Sequence, residues 1–300
     1  MLSKKSFAFV AAFMVQVFYG VTFTFASDVI KGGYIKPFGF ILLRVAGAGL
    51  LFWLFSFLGP KEKIEPKDYR TFFLGAVFGI AINMLCFFKG FEYTTPIHAS
   101  VIMVVVPIIV LILSAIFLKE KVIPTKIIGI VLGLSGAVVL SIYGKATADS
   151  TNIPLGNLLV FINAVSYSIY IIIIKKLTYK YHPMTFIKWL FLFGTILVLP
   201  FGYSQLSSVD WASFSPYIFF EAGFVIVGAT FATYLLNPLA LRELKASTVT
   251  TFLYLQPVIA GIFAVIVGSD SLDLIKVVAA VLIFAGVYLV TLNTNKARRR

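Results

Sequence analysis

Ten apolar stretches, each about twenty residues long, alternate with short polar connections along the chain: roughly 7–27, 37–58, 69–89, 95–118, 124–143, 154–175, 184–203, 215–236, 245–267 and 273–292. At a rise of about 1.5 Å per residue, some twenty residues of helix cover the roughly 30 Å hydrocarbon core of a bilayer. The pattern therefore predicts an all-α membrane protein of ten transmembrane helices. The connections are too short to hold a soluble domain, so residues 1–300 read as a single transmembrane domain. The first stretch follows Lys4 and Lys5 as a signal peptide would. Its apolar run is longer than an h-region and "TFASD" is a poor cleavage site, so it reads as a retained helix.

Composition supports the pattern, with 60% hydrophobic residues against 12% charged, where a soluble domain carries about 25% charged. The net charge of +13 would suggest nucleic acid in a soluble protein, but the placement of the basic residues has a simpler explanation. Of the 25 Lys and Arg residues, 19 fall at the termini and in the loops on one side of the predicted layer, five on the other, and Arg44 inside a span. The positive-inside rule makes the 19-residue side, with both termini, cytoplasmic in the plasma (bacterial inner) membrane. The bilayer, not nucleic acid, is the expected partner. Trp53 and Trp189 near one face, and Trp211 and Tyr217 near the other, sit where interfacial aromatics belong. The tail "KARRR" reads as a solvated topogenic end rather than a lipid site. Cys86, the only cysteine, lies inside an apolar run, which rules out an intrachain disulfide or a metal-thiolate cluster.

The chain also repeats itself. Shifted by 150 residues, "VVVPIIVLILSAIFLKEKVIPTKIIGIVLGLSGAVV" falls without a gap on "YLQPVIAGIFAVIVGSDSLDLIKVVAAVLIFAGVYL", bringing Pro107 onto Pro257, Glu120 onto Asp270 and Gly136 onto Gly286. Spans four and five thus match spans nine and ten, giving two five-helix repeats, about 1–145 and about 150–295. An odd unit must enter the membrane from opposite sides in its two copies. The loops agree, because Glu120 is flanked by Lys119, Lys121 and Lys126, whereas the Asp270 loop has only Lys276. Two inverted five-helix repeats are a recurring plan of secondary transporters, with substrate bound near the midplane between them.

"GFEYTTPIHASVIMVVVPIIVLILSAIFLKEKVIPTKIIGIVLGLSGAVVL" resembles the signature of the EamA-type branch of the drug/metabolite transporter superfamily: a tyrosine-containing "ALxYTSAxxAS" motif, a mid-helix proline, then "FLxE" and "GxxLxxxGV". "TFASDVIKGGYIKPFGFILLRVAGA" is similar to that family's first two helices, including an Arg seven residues after the Pro. The resemblance implies ten helices in two inverted repeats around a central cavity, and export of amino acids, other metabolites or drugs. Tyr19 stands where the family usually has Trp, Asp270 replaces the usual Glu, and "RELKAS" matches the tyrosine-containing motif loosely.

Polar residues inside apolar spans are the candidates for a substrate cavity. Pro107 and Pro257, each about the thirteenth residue of its span, are expected to make a pair of kinks facing one another near the midplane. They would free the carbonyls of Met103 and Leu253 towards a cavity or a polar neighbour. Arg44, about seven residues and roughly 10 Å into its span, and Glu221, about six residues into its own, lie at similar depth. They read either as a structural ion pair or as a site, with Arg44 attracting a substrate carboxylate and Glu221 carrying a proton or meeting an amine. Tyr19, Asn83, Ser100, Asn163, Tyr167, Tyr170, Tyr234, Asn237, Tyr254 and Gln256 complete the set. Any one alone reads more readily as an interhelical hydrogen bond, and as a group they suit a mostly apolar pocket. Gly75 with Gly79, and Gly129 with Gly133, form small-xxx-small faces for close packing in the bundle, a dimer interface being the lesser reading.

His98 and His182 share no spacing with acids or thiols, so neither a metal nor another cofactor is expected. No GxxxxGK[ST] loop is present to bind nucleotide, and no nucleophile, base or metal constellation suggests an enzyme. The reading is a secondary transporter exporting a small metabolite, such as an amino acid, by alternating access and with protons as a candidate coupling ion. A lipid or lipid-precursor flippase of the same fold is the alternative.

Overall fold

A computed structural model describes residues 3–94, 99, 102–143, 152–266 and 274–292; His98, Ser100, Asp270 and the "KARRR" tail lie outside them. Among the described residues, ten helices follow the ten apolar runs. The first is α1 (Lys4–Lys31), then α2 (Pro37–Leu54) and α3, which runs as Asp68–Ala76, a π turn Val77–Ala81, and Ile82–Tyr93. Next come α4 (Val106–Phe117), α5 (Pro124–Tyr143), α6 (Ile153–Thr178) and α7 (Pro183–Ser207). The eighth, α8, runs as Pro216–Ile226, a π turn Val227–Ala232, and Thr233–Glu243. The ninth, α9, runs as Ala246–Thr251, a 3₁₀ turn Phe252–Tyr254, and Leu255–Ile266, and α10 covers Leu274–Leu292. Eight of these are long and apolar enough to cross a membrane, and Val106–Phe117 and Pro124–Val139 are shorter apolar helices.

Local chemistry sets the starts. Proline stands in the first turn of α2, α6, α7 and α8, where its missing N–H would have had no partner anyway. Ser3, Asn152 and Ser215 cap α1, α6 and α8 by accepting the amides of Ser6, Leu155 and Ile218. Large apolar side chains such as Leu50, Ile116, Ile196 and Phe220 face outwards, as a bundle in lipid requires.

The 150-residue shift holds in the structure. It carries one π turn onto the other, the end of α3 at Tyr93 onto the end of α8 at Glu243, and the start of α5 onto that of α10. The repeats interlock by exchanging equivalent contacts: α4 packs on α6, the first helix of the other repeat, and the second half of α9 packs on α1. The α5–α10 contact is the closest. A Cβ added to Gly286 would stand 2.5 Å from the Gly129 carbonyl and 2.6 Å from the Gly133 amide, so the backbones touch. The glycine face is used inside the bundle.

The prolines do not make mid-helix kinks. Pro107 follows a turn at Val104–Val105 and lies in the first turn of α4. Pro257 follows the 3₁₀ turn and lies in the first turn of the Leu255–Ile266 segment. Each helix stops and restarts, so the proline meets no carbonyl of an unbroken ladder. Leu253 O takes the Leu255 amide, and among the described residues no side chain donates to Met103 O or Leu253 O. The two proline segments are also not packed on each other; each rests on the first helix of the opposite repeat.

At the end of the bundle nearest the N-terminus, polar contacts tie the repeats together. Glu120 caps α9, accepting the Ala246 amide at 2.7 Å and the Ser247 hydroxyl at 2.5 Å, with Lys126 Nζ 3.7 Å from its carboxylate. Lys175 donates to the carbonyls of Leu241 and Leu244, where the negative end of α8 favours a cation. Lys180 bridges Glu65 and Asp68, and with Lys67 it holds the Glu65 carboxyl below the usual carboxylate range. The Tyr181 hydroxyl donates to Asp68 at 2.6 Å. Trp53 and Trp189 meet edge to face nearby, 5.2 Å between centroids.

Candidate functional site

The site begins with the second π turn. Widening a helix to i→i+5 pairing loosens the backbone ladder, and such turns concentrate at functional positions. Here Thr230 donates its hydroxyl back to the Val225 carbonyl at 2.8 Å, and Thr233 donates to Ala229 O at 2.7 Å. The Thr230 oxygen then accepts Nε of Arg44 at 3.0 Å, joining α2 of one repeat to α8 of the other. Arg44 is 7% exposed. Its electrostatic neighbours are the phenols of Tyr19 and Tyr234, and no carboxylate lies within ion-pair distance among the described residues.

Four tyrosines gather round this centre. Tyr234 donates to Gly79 O in the first π turn at 2.8 Å. Tyr170 lies 5.9 Å from Tyr234 and 6.0 Å from Tyr167 between ring centroids, and its hydroxyl is buried without a partner among the described residues. Tyr167 accepts the Asn237 amide at 3.3 Å. Tyr19 adjoins Thr233 and Arg44. A guanidinium held by one nitrogen among aromatic faces and hydroxyls has a chemistry that can meet an anion.

The other candidates lie elsewhere. Asn163 donates to the backbone of Asn83 at 2.6 Å, and Gln256 donates to Gln16 at 2.9 Å, both as interhelical ties. Tyr254 packs on Gly133 of α5. Met103, Pro107 and Pro257 stay on the fourth helix of each repeat, and Ser100 is outside the described residues. Arg44 and Glu221 do not pair. Arg44 turns to Thr230, whereas Glu221 is fully buried, has no cation within ion-pair distance among the described residues, and faces Asp28 and Tyr217.

The sequence reading missed Thr230, Thr233 and Gln16. The threonines were visible in "GATFAT", where two hydroxyls three residues apart interrupt an apolar run on one helix face. Gln16 was visible as an amide in the first span.

The cluster is closed over, with Tyr170 1%, Tyr234 5% and Asn237 5% exposed. Two open clefts, each about 420 Å³, lie at the basic end instead, one lined by Lys4, Phe7, Leu239, Arg242 and Glu243, the other around Glu120 and Lys175.

Comparison with known proteins decides the family. The model of the EamA-like transporter family matches twice, over residues 6–142 and 154–292, once per repeat. The chain belongs to the EamA-like transporter family. An uncharacterized transporter of Archaeoglobus fulgidus is 30% identical over 92% of this chain and 96% of its own length. The uncharacterized transporter YetK of Bacillus subtilis is 22% identical over 84% and 77%. A WAT1-related protein of Arabidopsis thaliana, At2g37460, is 23% identical over 98% and 84%. A solved crystal structure at 16% identity superposes with a TM-score of 0.80, covering 98% of this chain and 99% of the other, which establishes likeness of fold. This EamA-like protein is thus a multi-pass membrane transporter built from two inverted five-helix repeats.

Proposed function

We propose that this EamA-like protein is a secondary transporter that exports a small amphipathic metabolite carrying a carboxylate, such as an amino acid, by alternating access. The observation that carries the reading is Arg44: a buried guanidinium, anchored through Nε by Thr230 and without an acidic partner among the described residues, where the two repeats meet. Burying an uncompensated cation is costly, and a substrate carboxylate would offset that cost while the tyrosine faces take the apolar part. The capped Glu120 junction and the Lys180 network tie the two repeats together at the basic end, and the positive-inside rule makes that end cytoplasmic.

The test is flux in liposomes loaded with a panel of labelled amino acids, comparing the wild type with Arg44→Lys and Arg44→Met. Saturable flux of at least one carboxylate-bearing solute is expected, weakened in Arg44→Lys and reduced at least tenfold in Arg44→Met. A panel without saturable flux, or an Arg44→Met variant that folds and transports as the wild type does, would overturn the reading. Transbilayer movement of a labelled phospholipid with no solute flux would favour a flippase instead.

A further inference from the structure

Glu221 is the acid that the proposed site does not use. It lies in α8, 0% exposed, with both carboxylate oxygens unpartnered among the described residues. Its helix neighbours Ile218, Ala222 and Val225 belong to an apolar cluster with Phe25, Val29, Ile35 and Phe40 from α1, α2 and the connection between them. An ionised carboxylate in such surroundings, with no cation beside it and the Asp28 acid as a neighbour along with the Tyr217 phenol, is more costly than the neutral acid. An unsatisfied buried group of this kind calls for an explanation, and stability supplies none.

The charged and titratable groups facing it are few. On the α1 side the group is Asp28, which is exposed to the same end of the bundle, and on its own helix it is Tyr217, which is also exposed. The first half of α8 also packs on α2. There the titratable residue is Arg44, whose Nε is committed to Thr230. The π turn that continues α8 contributes one hydroxyl, that of Thr230, and no charge.

The structure assigns Glu221 as the proton-binding group of a coupled cycle, with Asp28 as the relay between it and water at the end of the bundle remote from the N-terminus. The assignment rests on the transport reading for the cycle, though not for the binding of the proton. In the exchange, a proton passes from water to the Asp28 carboxylate and on to a Glu221 oxygen, and leaves by a second path when the opposite end opens, so charge and atoms balance. A mechanical link to the substrate site is present in the same helix. Val225, one turn after Glu221, presents the carbonyl that takes the Thr230 hydroxyl, and Thr230 holds Arg44. A shift of the first half of α8 when Glu221 gains or loses its proton is therefore transmitted to the guanidinium, with the π turn Val227–Ala232 as the compliant joint.

Two measurements on the full chain in lipid test this. Infrared difference spectroscopy across a pH titration should show the carbonyl stretch of a protonated carboxyl at neutral pH that disappears in Glu221→Gln. In Asp28→Asn the band should persist and be lost at a different pH. Absence of the band in the wild type, its persistence in Glu221→Gln, or an Asp28→Asn titration identical to the wild type overturns the assignment, whatever the protein transports. In liposomes, a pH gradient should drive accumulation of labelled phenylalanine, leucine or glutamate, tested separately. Glu221→Gln should lose at least tenfold of that driven component while keeping gradient-free exchange. Equal pH-driven accumulation in Glu221→Gln and wild type overturns the assignment. Failure of exchange for every amino acid in the wild type strikes at the transport reading instead and leaves the infrared result to decide the proton site.

Discussion

The two π turns occupy the same place in the two repeats, and their chemistry is opposite. In the first, Val77–Ala81, the turn and the residues after it expose carbonyls that are satisfied from outside. Ser166 donates to Phe78 O at 2.7 Å, Tyr234 to Gly79 O at 2.8 Å and Asn163 to Asn83 O at 2.6 Å, all from the second repeat. In the second, Val227–Ala232, the helix satisfies its own carbonyls through Thr230 and Thr233 and has an oxygen left over to hold Arg44 of the first repeat. One turn receives and the other gives. Duplication accounts for the shared backbone, and side-chain substitution at Gly79/Ala229 and Ile80/Thr230 accounts for an arginine anchor on one side only.

The largest expected break of this comparison is at Gly79. A Cβ there would stand 2.2 Å from the Tyr170 ring, and that ring is 1% exposed with no room to retreat. Gly79→Ala should destabilise by about 3 kcal/mol as overpacking pushes α3 from α6. The equivalent Ala229→Gly should cost only about 1 kcal/mol, chiefly as a helix propensity effect. Chemical unfolding in detergent micelles measures both, and equal costs would mean that the two turns are not packed differently after all.

Thr230 comes next. Thr230→Val keeps shape but leaves Val225 O without its hydroxyl and Arg44 Nε without its acceptor, a loss of about 2 kcal/mol for a bond to a charged donor. Solute flux should fall at least tenfold as the guanidinium loses its orientation. The reciprocal change, Ile80→Thr, places a hydroxyl at the fully buried equivalent position in the first repeat, where no arginine accompanies it. It should cost about 1–3 kcal/mol and bring no gain in flux. A Thr230→Val protein with wild-type flux would show that Arg44 needs no anchor.

What the sequence made legible, and what it hid, follows the same division. The ten spans, the shift of 150 residues and the isolation of Arg44 depend on hydrophobicity and on order along the chain, which are properties of single residues and their spacing. The first π turn is not, because carbonyls in it and just after it are stabilised by Ser166, Asn163 and Tyr234 from helices 80 to 155 residues away in the chain. Thr230 escaped because a threonine in an apolar helix ordinarily satisfies itself on the preceding turn. Only the neighbouring helix shows that its oxygen also accepts. The prolines misled for a related reason. Proline signals that a helix ladder cannot continue, but whether it kinks or restarts depends on the turn before it, and at Val104–Val105 and Phe252–Tyr254 the chain rewinds.

The smallest effect sharpens the comparison most, because it touches both turns through one atom. Tyr234 follows the second π turn and donates to the first, so Tyr234→Phe removes the hydroxyl on which Gly79 O depends and changes little else in packing. The loss should be about 1 kcal/mol, the net worth of a neutral hydrogen bond, with part of it arising from the orphaned carbonyl. If the turns act as separate devices, Tyr234→Phe and Thr230→Val should add when combined. If they act as one joint through which the repeats move, the double variant should lose measurably less than the sum, since breaking either bond already frees α8 from its partners. A double-mutant cycle on unfolding free energy, repeated on flux, distinguishes the two. A coupling energy of at least about 0.5 kcal/mol would identify the paired turns as a single hinge beside Arg44.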